Sequence, residues 1–547
     1  MTRFLRVPWP WWRRIAQGIL LALFVWLFRR TEYTGADTLP GGENLFFRLD
    51  PLAGAAAMLA GRCVMWTFWP ALVVLVLTAV LGRFFCGWVC PLGTLLDVFQ
   101  RLARPLTSLT GRWGRSDAGA GVLRKARPAR YVLLCLSLGG AMFAFPLAGF
   151  VDPFALLVRG LTFWGDPAFF KSADTVLTWS GQSGGDAVRH FFVKHLLPFR
   201  ANVYDLAAVS AVLLALAFLL ELVARRFWCR YLCPLGALLG IIGRFSLVRR
   251  LPARVCKDCR LCARDCRMGA LDAAAGISPE ACNLCMDCVH SCPRAIARFA
   301  AVRSRPAAAP VDLSRRGFLA AAVAGAALPV VARAAQLTAG AGLDPSLLRP
   351  PGATDEKRFL NLCVRCGLCM KVCPTNVLQP AILQAGVEGM FSPRLALRFV
   401  FEQSYCEYNC NLCGQVCPTG AIPRVTLEEK QKSPAGKAYF DHDRCLPWAS
   451  HVSCIRCEEV CPLSDKAIKI RNTFNVKDET GQEIEIQQPQ VDRNLCVGCG
   501  ICESNCPVEG AAAIRVRRVE APDPRTEFLS NTPPRQQSPR PAKGGTR

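Results

Sequence analysis

The chain has 547 residues, of which 52% are hydrophobic, and it carries a formal net charge of +25. This length allows several domains, and the combination of hydrophobic and basic residues indicates membrane spans joined by positively charged loops. Nucleic acid is another partner that a basic protein could bind. No nucleic-acid recognition fold is readable, however, and much of the arginine lies beside apolar stretches, so we expect no nucleic-acid partner.

Four apolar stretches lie in the first half of the chain, at residues 15–28, 63–82, 131–151 and 204–223. A spanning helix needs roughly 20 apolar residues, so the pattern predicts a four-span α-helical membrane domain. The first stretch is short, but it follows Trp9, Trp11 and Trp12, and tryptophan is favoured at a bilayer interface. Arg and Lys are concentrated in the N-terminus, in residues 83–130 and after the fourth span. The positive-inside rule therefore predicts that these three segments are cytoplasmic.

Two segments of this region repeat each other. RFFCGWVCPLGTLL begins at Arg83 and RFWCRYLCPLGALL begins at Arg226, and each follows a predicted span, which indicates a duplicated two-span unit. On a helix, the cysteines of each C-x3-C-P motif would share one face. They could be redox dithiols whose pKa is lowered by neighbouring arginines, one joint metal centre, or free thiols in packed helices. We assign a redox or metal site jointly to Cys86, Cys90, Cys229 and Cys233.

Thirty cysteines indicate the chemistry of the chain. Disulfide scaffolds are usually short secreted chains with scattered cysteines. Here every cysteine except Cys63 and Cys135 belongs to a tight, repeated motif. Those two lie in apolar stretches and are interpreted as core residues. The pattern therefore favours metal ligation over disulfides.

Six cysteine quartets follow the two C-x3-C-P motifs. Four have the spacing C-x2-C-x2-C-x3-C: Cys256, Cys259, Cys262, Cys266; Cys282, Cys285, Cys288, Cys292; Cys363, Cys366, Cys369, Cys373; and Cys496, Cys499, Cys502, Cys506. Two have a longer first gap: Cys406, Cys410, Cys413, Cys417; and Cys445, Cys454, Cys457, Cys461. Three close thiolates can hold three corners of a [4Fe-4S] cluster while the fourth reaches a neighbouring cluster. A zinc ribbon would need two separated knuckles. The quartets therefore predict six [4Fe-4S] clusters.

The spacing of these motifs predicts the domain organisation. The quartets form α+β bacterial ferredoxin-like modules, the first with two clusters and the second with four. The quartets of the second module could pair in chain order or in a nested way, first with last. The predicted divisions are a membrane domain at 1–245, a two-cluster module at 246–300, a linker at 301–350, a four-cluster module at 351–516 and a disordered, proline-rich tail at 517–547.

The linker contains SRRGFLAAAVAGAALPVVARA from Ser314 to Ala334, which looks like a twin-arginine export signal in the middle of a chain. Ala320 stands where such signals usually have lysine. As a fifth membrane-crossing segment it would carry residues 351–547 to the periplasm. As a plain linker helix it would leave both modules in the cytoplasm.

These motifs resemble two subunits of the quinol dehydrogenase that supplies periplasmic nitrate reductase. Cys86, Cys90, Cys229, Cys233 and the 256–292 quartets match the NapH-type membrane subunit. CLPWASHVSCIRCEEVCP, at residues 445–462, resembles the exported four-cluster subunit of the NapG or methylamine-utilisation (MauM) type. The resemblance covers about residues 10–515 and implies that the two subunits are fused in one chain.

The resemblance implies a multi-pass protein of the bacterial inner membrane that passes electrons from the quinone pool to a periplasmic redox enzyme or small electron carrier. Asp152 and Glu221, at predicted span ends, could accept protons from quinol. Two alternatives stay open: a maturation factor that reduces a partner's metal or cofactor centre, and a cytoplasmic ferredoxin or metal reductase. No motif indicates haem, flavin or nucleotide.

Overall fold

The computed structural model describes residues 9–33, 35–103, 105, 126–181, 202–251, 261–271, 277–293, 297–301, 319–320, 322–325, 327, 344, 346–353, 355–382, 384–397, 404–477 and 483–519. We call residues 9–250 the helical region, 261–301 the first cysteine-rich region and 344–519 the second cysteine-rich region. Cys256, Cys259 and the part of the predicted tail from residue 520 onward lie outside the described residues.

The helical region consists of short and medium helices, which we number in chain order. They are α1 (Trp9–Arg30), α2 (Leu45–Arg48), α3 (Pro51–Gly61), α4 (Trp69–Leu81), α5 (Phe85–Trp88), α6 (Pro91–Leu102), α7 (Ala129–Met142), α8 (Ala148–Val151), α9 (Pro153–Gly160), α10 (Asp166–Gly181), α11 (Ala207–Leu219) and α12 (Pro234–Gly243). Two π-helical turns, Leu161–Gly165 and Trp228–Leu232, and two 3₁₀ turns, Trp66–Phe68 and Leu220–Leu222, lie between or beside them.

The two cysteine-rich regions contain short helices and two-stranded antiparallel sheets. The first contains α13 (Leu261–Asp265), α14 (Asp287–His290) and β2 (Phe299–Ala301). Strand β2 pairs with β1 (Val248–Arg250), which ends the helical region. The second has α15 (Glu356–Leu362), α16 (Leu368–Lys371), β3 (Leu378–Pro380), β4 (Pro393–Leu395), α17 (Leu412–Val416), α18 (Leu427–Lys432), β5 (Lys437–Phe440), α19 (Leu446–Ala449), α20 (Arg456–Glu459), β6 (Ile468–Lys477), β7 (Glu483–Val491), α21 (Ile501–Ser504) and β8 (Ile514–Arg517). Its strands pair as β3 with β4, β5 with β8 and β6 with β7.

All four apolar stretches are helical, but three of the helices are shorter than predicted. By length and composition, α1 is the one described helix that could cross a membrane. The apolar helices Trp66–Leu81, Ala129–Met142 and Ala207–Leu222 all have fewer than 18 residues. Gly82, with a φ of 92°, ends α4, and the left-handed Ala144 follows the end of α7. Apolar residues that we assigned to the spans therefore lie in the adjoining turns.

Each C-x3-C-P segment breaks between its cysteines. Cys86 lies in α5, whereas Cys90 is the N-cap of α6. Cys229 lies in the π-helical turn, and Cys233 is the N-cap of α12. Proline lacks a backbone N–H and is suited to the first turn of a helix, so each Cys-Pro step starts a new helix. The prediction that each pair shares one face of a single helix was wrong.

The first cysteine-rich region contacts one end of each of the four apolar helices. The space between them is closely filled: a Cβ on Gly87 would lie 2.3 Å from the Asn283 carbonyl oxygen, and Trp88 Nε1 donates to the Leu284 carbonyl at 3.1 Å. The contacts at or beyond the helix ends are Arg13 with Asp287, Gly82 with Leu284, Arg127 with Gly269 and Arg230 with Gly269.

The second cysteine-rich region contacts the other end of the same four helices. The contacts at or beyond those ends are Glu32 with Lys371, Thr67 with Pro418, Pro146 with Arg365 and Tyr204 with Met370. Asn44 also donates to the Val416 carbonyl at 3.0 Å. The helical region therefore lies between the two cysteine-rich regions.

The described part of the signal-like segment is helical and packs on α7. A Cβ on Gly325 would lie 3.1 Å from Leu136 Cα and 3.2 Å from the Cys135 carbonyl oxygen. Leu319 and Val323, in contrast, are exposed. The missing side chain of Gly325 thus allows a close backbone approach between this segment and the third apolar helix.

A buried ionic network joins the second cysteine-rich region to the helical region. Lys371 Nζ lies 2.8 Å from Glu32 Oε1 and also bonds Asp166. Arg29 bonds the same two carboxylates, at 3.0 Å and 2.5 Å. Two carboxylates from separate segments of the helical region therefore share one lysine of the cysteine-rich region.

We predict that Lys371→Met destabilises the protein by about 3 kcal/mol, because it leaves two carboxylates without their main counter-charge in a buried interface. Chemical denaturation of the purified protein measures this. Lys469→Met is the matched control, since Lys469 pairs with Asp465 on the surface and should matter by less than about 1 kcal/mol. Equal effects of the two substitutions would contradict the prediction.

Candidate metal centres

Four cavities in the described structure are each lined by four cysteines. In every case three of them come from one quartet, and the fourth is the last cysteine of another quartet. The sets are Cys282, Cys285, Cys288 with Cys266; Cys406, Cys410, Cys413 with Cys373; Cys496, Cys499, Cys502 with Cys461; and Cys445, Cys454, Cys457 with Cys506. This three-plus-one grouping is the arrangement that two-cluster ferredoxins use.

Electrostatic contacts group a fifth set in the same way. Cys417 lies close enough to Cys363, Cys366 and Cys369 to interact electrostatically with each of them, so the last cysteine of the 406–417 quartet adjoins the first three of the 363–373 quartet. The quartets of the second region therefore pair in chain order, first with second and third with fourth. The nested alternative does not fit this structure. Of the sixth set, only Cys262 and Cys292 are described, and their side chains pack together with Ala297 in one small hydrophobic core.

Backbone amides point at the sulfurs in several of the cysteine loops. In each case the thiol sulfur accepts a hydrogen bond from the amide two residues later. The pairs are Cys282 with Leu284, Cys363 with Arg365, Cys366 with Leu368, Cys410 with Leu412 and Cys499 with Ile501. Such bonds stabilise a thiolate and tune the potential of a cluster that it ligates.

The donor set fits clusters better than free thiols or single ions. Burial raises the pKa of Cys499 to about 11 and that of Cys457 to about 12, so unligated thiols there would be protonated at neutral pH. A bound metal removes that proton. Among the described residues, no three His, Cys, Asp or Glu side chains are close enough to hold one metal ion. A [4Fe-4S] cubane binds one cysteine sulfur at each of its four irons, so its ligands lie farther apart than the ligands of a single metal ion.

The four C-x3-C-P cysteines lie together in the core of the helical region. All four are at most 7% exposed. The thiol of Cys86 interacts electrostatically with Cys229 and Cys233, so the two repeats bring their cysteines to one place. The redox-dithiol alternative expects thiols whose pKa is lowered by neighbouring arginines. At Cys229 burial outweighs Arg226 and Arg83 and raises the pKa to about 11, against that alternative.

Two buried arginines cross between the repeats. Arg83 donates to the Cys229 carbonyl at 3.1 Å and to Cys86 Sγ at 3.3 Å, whereas Arg226 donates to the Cys86 carbonyl at 3.0 Å. Arg226 is neutralised by Asp97, with contacts of 3.0 and 2.6 Å. Arg83 is 0% exposed and has no carboxylate partner among the described residues. A buried, unpaired cation is costly, so negatively charged sulfur beside Arg83 would stabilise it.

Comparisons with known proteins agree with these groupings. A family model described as "4Fe-4S binding domain" matches residues 64–110 and again residues 206–252, which contain the two C-x3-C-P repeats. A "4Fe-4S dicluster domain" matches residues 362–421, and a further "4Fe-4S binding domain" matches residues 488–513. No solved structure matches the chain.

Curated relatives cover large parts of the chain. The ferredoxin-type protein MauM of Methylorubrum extorquens is 36% identical over 214 residues, which is 38% of this chain and 91% of MauM. The chain belongs to the MauM/NapG family of ferredoxin-type proteins. NapG of Escherichia coli is 36% identical over 30% of this chain and 68% of its own length. MauN of Methylorubrum extorquens is 30% identical over 46% of this chain and 73% of its own length.

Membership of this family and the three matching cluster-binding models establish the general chemistry. The chain binds [4Fe-4S] clusters and functions in iron–sulfur electron transfer. The structure brings the described predicted ligands together in sets of the expected composition. Sequence reasoning did not identify Asp97 as the counter-ion of Arg226. The position of Asp97, seven residues after Cys90 on α6, gives no signal for a contact that spans the two repeats.

We predict that paired alanine substitutions distinguish the two pairing schemes by iron content. Cys363→Ala with Cys417→Ala should remove ligands of one cluster and cost about four irons per chain. Cys363→Ala with Cys506→Ala should damage two clusters and cost about eight. Iron analysis of purified protein measures both variants. The reverse order of losses would indicate nested pairing.

Proposed function

We propose that the chain is a multi-pass protein of the bacterial inner membrane that carries electrons from membrane quinol to a periplasmic redox enzyme or small electron carrier. One observation carries the proposal: each of four apolar helices has one end against the first cysteine-rich region and the other against the second. A membrane around those helices would separate the two regions. The first would lie in the cytoplasm and residues 351–547 in the periplasm.

Charge and packing support this topology. The segments predicted to be cytoplasmic by their arginine content, such as residues 83–130, meet the first cysteine-rich region through Trp88 and Arg127. The chain must then return past the helical region to reach the second region. The helical segment around Gly325, packed on α7, supports a fifth crossing there. We therefore propose four spans and a fifth at the signal-like segment.

The cysteine sets follow one another across the protein. The Cys282 set adjoins Trp88, two residues from Cys86. Beyond the joint C-x3-C-P site, Phe85 packs on Phe154 at 6.0 Å, toward the second region. Bound clusters supply one-electron transfer, and the chain's contribution is to hold them in this succession.

The second cysteine-rich region continues the succession. The Cys363 set lies next to the helical region, since a Cβ on Gly149 would be 2.5 Å from the Val364 carbonyl oxygen. Its partner set contains Cys406, whose amide donates to the Cys499 carbonyl at 2.8 Å. The Cys445 set is the last in this succession, and its quartet exchanges a cysteine with the quartet that contains Cys496, Cys499 and Cys502. We propose six [4Fe-4S] clusters in the two regions, with the Cys445 set as the exit toward the partner.

We further propose that Cys86, Cys90, Cys229 and Cys233 hold one additional iron–sulfur centre between the two regions. The buried charge of Arg83 favours a metal centre rather than two redox dithiols at this site. Neutral thiols would leave its charge without compensation, whereas a cluster with four thiolates is anionic. Its position would connect the cytoplasmic and periplasmic sets.

A maturation role is the second candidate. Relatives are named for methylamine utilisation, and the same succession of sites could deliver electrons only while a partner enzyme is assembled. Depletion of this chain after the partner has matured separates the two functions. Continued turnover of the partner would favour maturation, and an immediate stop would favour continuous electron supply.

We predict that quinol reduces the clusters of the second region through the joint site. In lipid nanodiscs, Cys86→Ser with Cys229→Ser should slow quinol-driven bleaching of the visible iron–sulfur absorption at least tenfold, while dithionite still bleaches it. Cys63→Ser is the control, because Cys63 lies outside every set and, contrary to the prediction that it is a core residue, is exposed. An unchanged rate in the double variant would contradict the proposed route.

We predict that the additional centre accounts for about four irons per chain. Replacing Cys86, Cys90, Cys229 and Cys233 together with serine should remove that amount, whereas Cys63→Ser with Cys135→Ser should remove none. Iron analysis under anaerobic conditions measures the difference. An iron content equal to that of the unmodified protein would indicate a dithiol site instead.

A further inference from the structure

Two aspartates meet in the core of the helical region. Asp50 is the N-cap of α3 and Asp152 is the N-cap of α9, and their exposures are 0% and 1%. Asp50 Oδ1 accepts hydrogen bonds from the amides of residues 52 and 53 at 2.8 and 3.3 Å. Asp152 Oδ2 accepts from the amides of residues 154 and 155 at 2.9 and 2.8 Å. One oxygen of each carboxyl group is therefore satisfied by its own helix.

The remaining oxygens have no donor in the described part of the chain. Asp50 Oδ2 and Asp152 Oδ1 are both buried and accept no hydrogen bond from any donor group of the described residues. The two carboxyl groups nevertheless lie within hydrogen-bonding distance of each other. Two carboxylates cannot donate to one another, so this contact requires a proton on one of them. Among the described residues, neither aspartate forms a salt bridge. Arg159 is the cation whose charge acts on Asp152.

The surroundings of the pair keep it away from water. Phe154, two residues after Asp152, packs on Phe46 and Phe47, both at 6.2 Å. Burial raises the pKa of both aspartates, and the neighbouring Asp50 raises that of Asp152 further. Two like charges this close in an apolar site cannot both persist, which is the situation in which a dyad shares one proton.

We propose that Asp50 and Asp152 form one proton-binding site whose occupancy is coupled to reduction of the cysteine sets on either side of it. The inference rests on the proposed function, in which those sets carry electrons. In the oxidised protein the pair holds one shared proton. When one electron enters a neighbouring set, one proton from water joins the remaining carboxylate, and reoxidation releases it.

We infer this coupling from the position of the Asp50–Asp152 pair between the C-x3-C-P cysteines and the Cys363 set. Phe154 contacts Phe85, which precedes Cys86. On the other side, Arg159 of α9 donates to the Gly149 carbonyl at 3.1 Å, and Gly149 lies against Val364, which follows Cys363. An added electron raises the proton affinity of a nearby carboxylate, and in a buried site salt screens this interaction little.

Redox titration at several pH values tests the proposal without quinol, using dithionite and an electrode. The potential of at least one centre should fall as pH rises, by up to about 59 mV for each tenfold change in proton concentration. In Asp50→Asn the amide can still donate to Asp152 and its carbonyl can still cap α3, so the fold is kept but the dyad is lost. The pH dependence of that centre should then disappear, and Asp152→Asn should behave alike.

Asp174→Asn, at an exposed position of α10, is the control and should titrate as the unmodified protein does. An undiminished pH dependence in Asp50→Asn and Asp152→Asn, with clusters intact, would overturn the proposal. Infrared difference spectra between oxidised and reduced unmodified protein provide a second readout. They should contain a carboxylic-acid band that shifts in D₂O, and its absence would also overturn the proposal, even if the variants fail to fold. Because neither readout uses quinol, failure here is distinct from failure of the proposed electron donor.

Discussion

The exchange of one cysteine between neighbouring quartets is the constraint on which both cysteine-rich regions depend. A loop with three cysteines can surround only part of a cluster, so the fourth ligand must come from another quartet. Cys417 reaches the Cys363 set, and Cys506 reaches the Cys445 set. Each exchange ties two distant segments together. Since such short helices and two-stranded sheets are marginal alone, bound clusters and these exchanges together would provide much of the stability.

In the helical region, arginines rather than cysteines are exchanged between two repeated segments. Arg83 of one repeat binds the carbonyl of Cys229 in the other, and Arg226 binds the carbonyl of Cys86. The crossing brings four cysteines together in the core. It also buries two cations there, of which one is balanced by Asp97 and the other faces the sulfurs. The opposed aspartates at residues 50 and 152 add a buried negative site on the side toward the second cysteine-rich region. Buried charged groups therefore occur in pairs in the part of the helical region between the two cysteine-rich regions.

The sequence predicts the local parts of this structure well. Quartet spacing depends on the reach of a short loop, so the three cysteines that one quartet contributes to each cavity could be anticipated. The β6–β7 hairpin is also local, because residues 468–491 alternate between apolar and polar on either side of Gly481, and Ile468 pairs with Val491. Helix ends are harder to predict. Apolar residues continue past Leu81 and Met142, so the sequence did not reveal that the chain turns there.

Contacts between distant segments could not be predicted. The choice between chain-order and nested pairing depends on which quartets fold against each other, and every quartet has nearly the same spacing. The Asp97–Arg226 pair joins residues 129 positions apart. The Asp50–Asp152 pair likewise arises only when α3 and α9 meet. Each aspartate precedes a proline and is interpretable from sequence as an ordinary helix cap, so its second oxygen gives no local signal.

The central claim is that one chain holds clusters on both sides of a membrane. An epitope placed after Arg547, followed by protease treatment of intact spheroplasts and of inside-out vesicles, tests it most directly. We expect the epitope to be lost from spheroplasts and protected in inside-out vesicles, which would put the second cysteine-rich region in the periplasm. Protection in spheroplasts with loss in inside-out vesicles would contradict the account. All clusters would then lie in the cytoplasm, and a cytoplasmic reductase would be the better description.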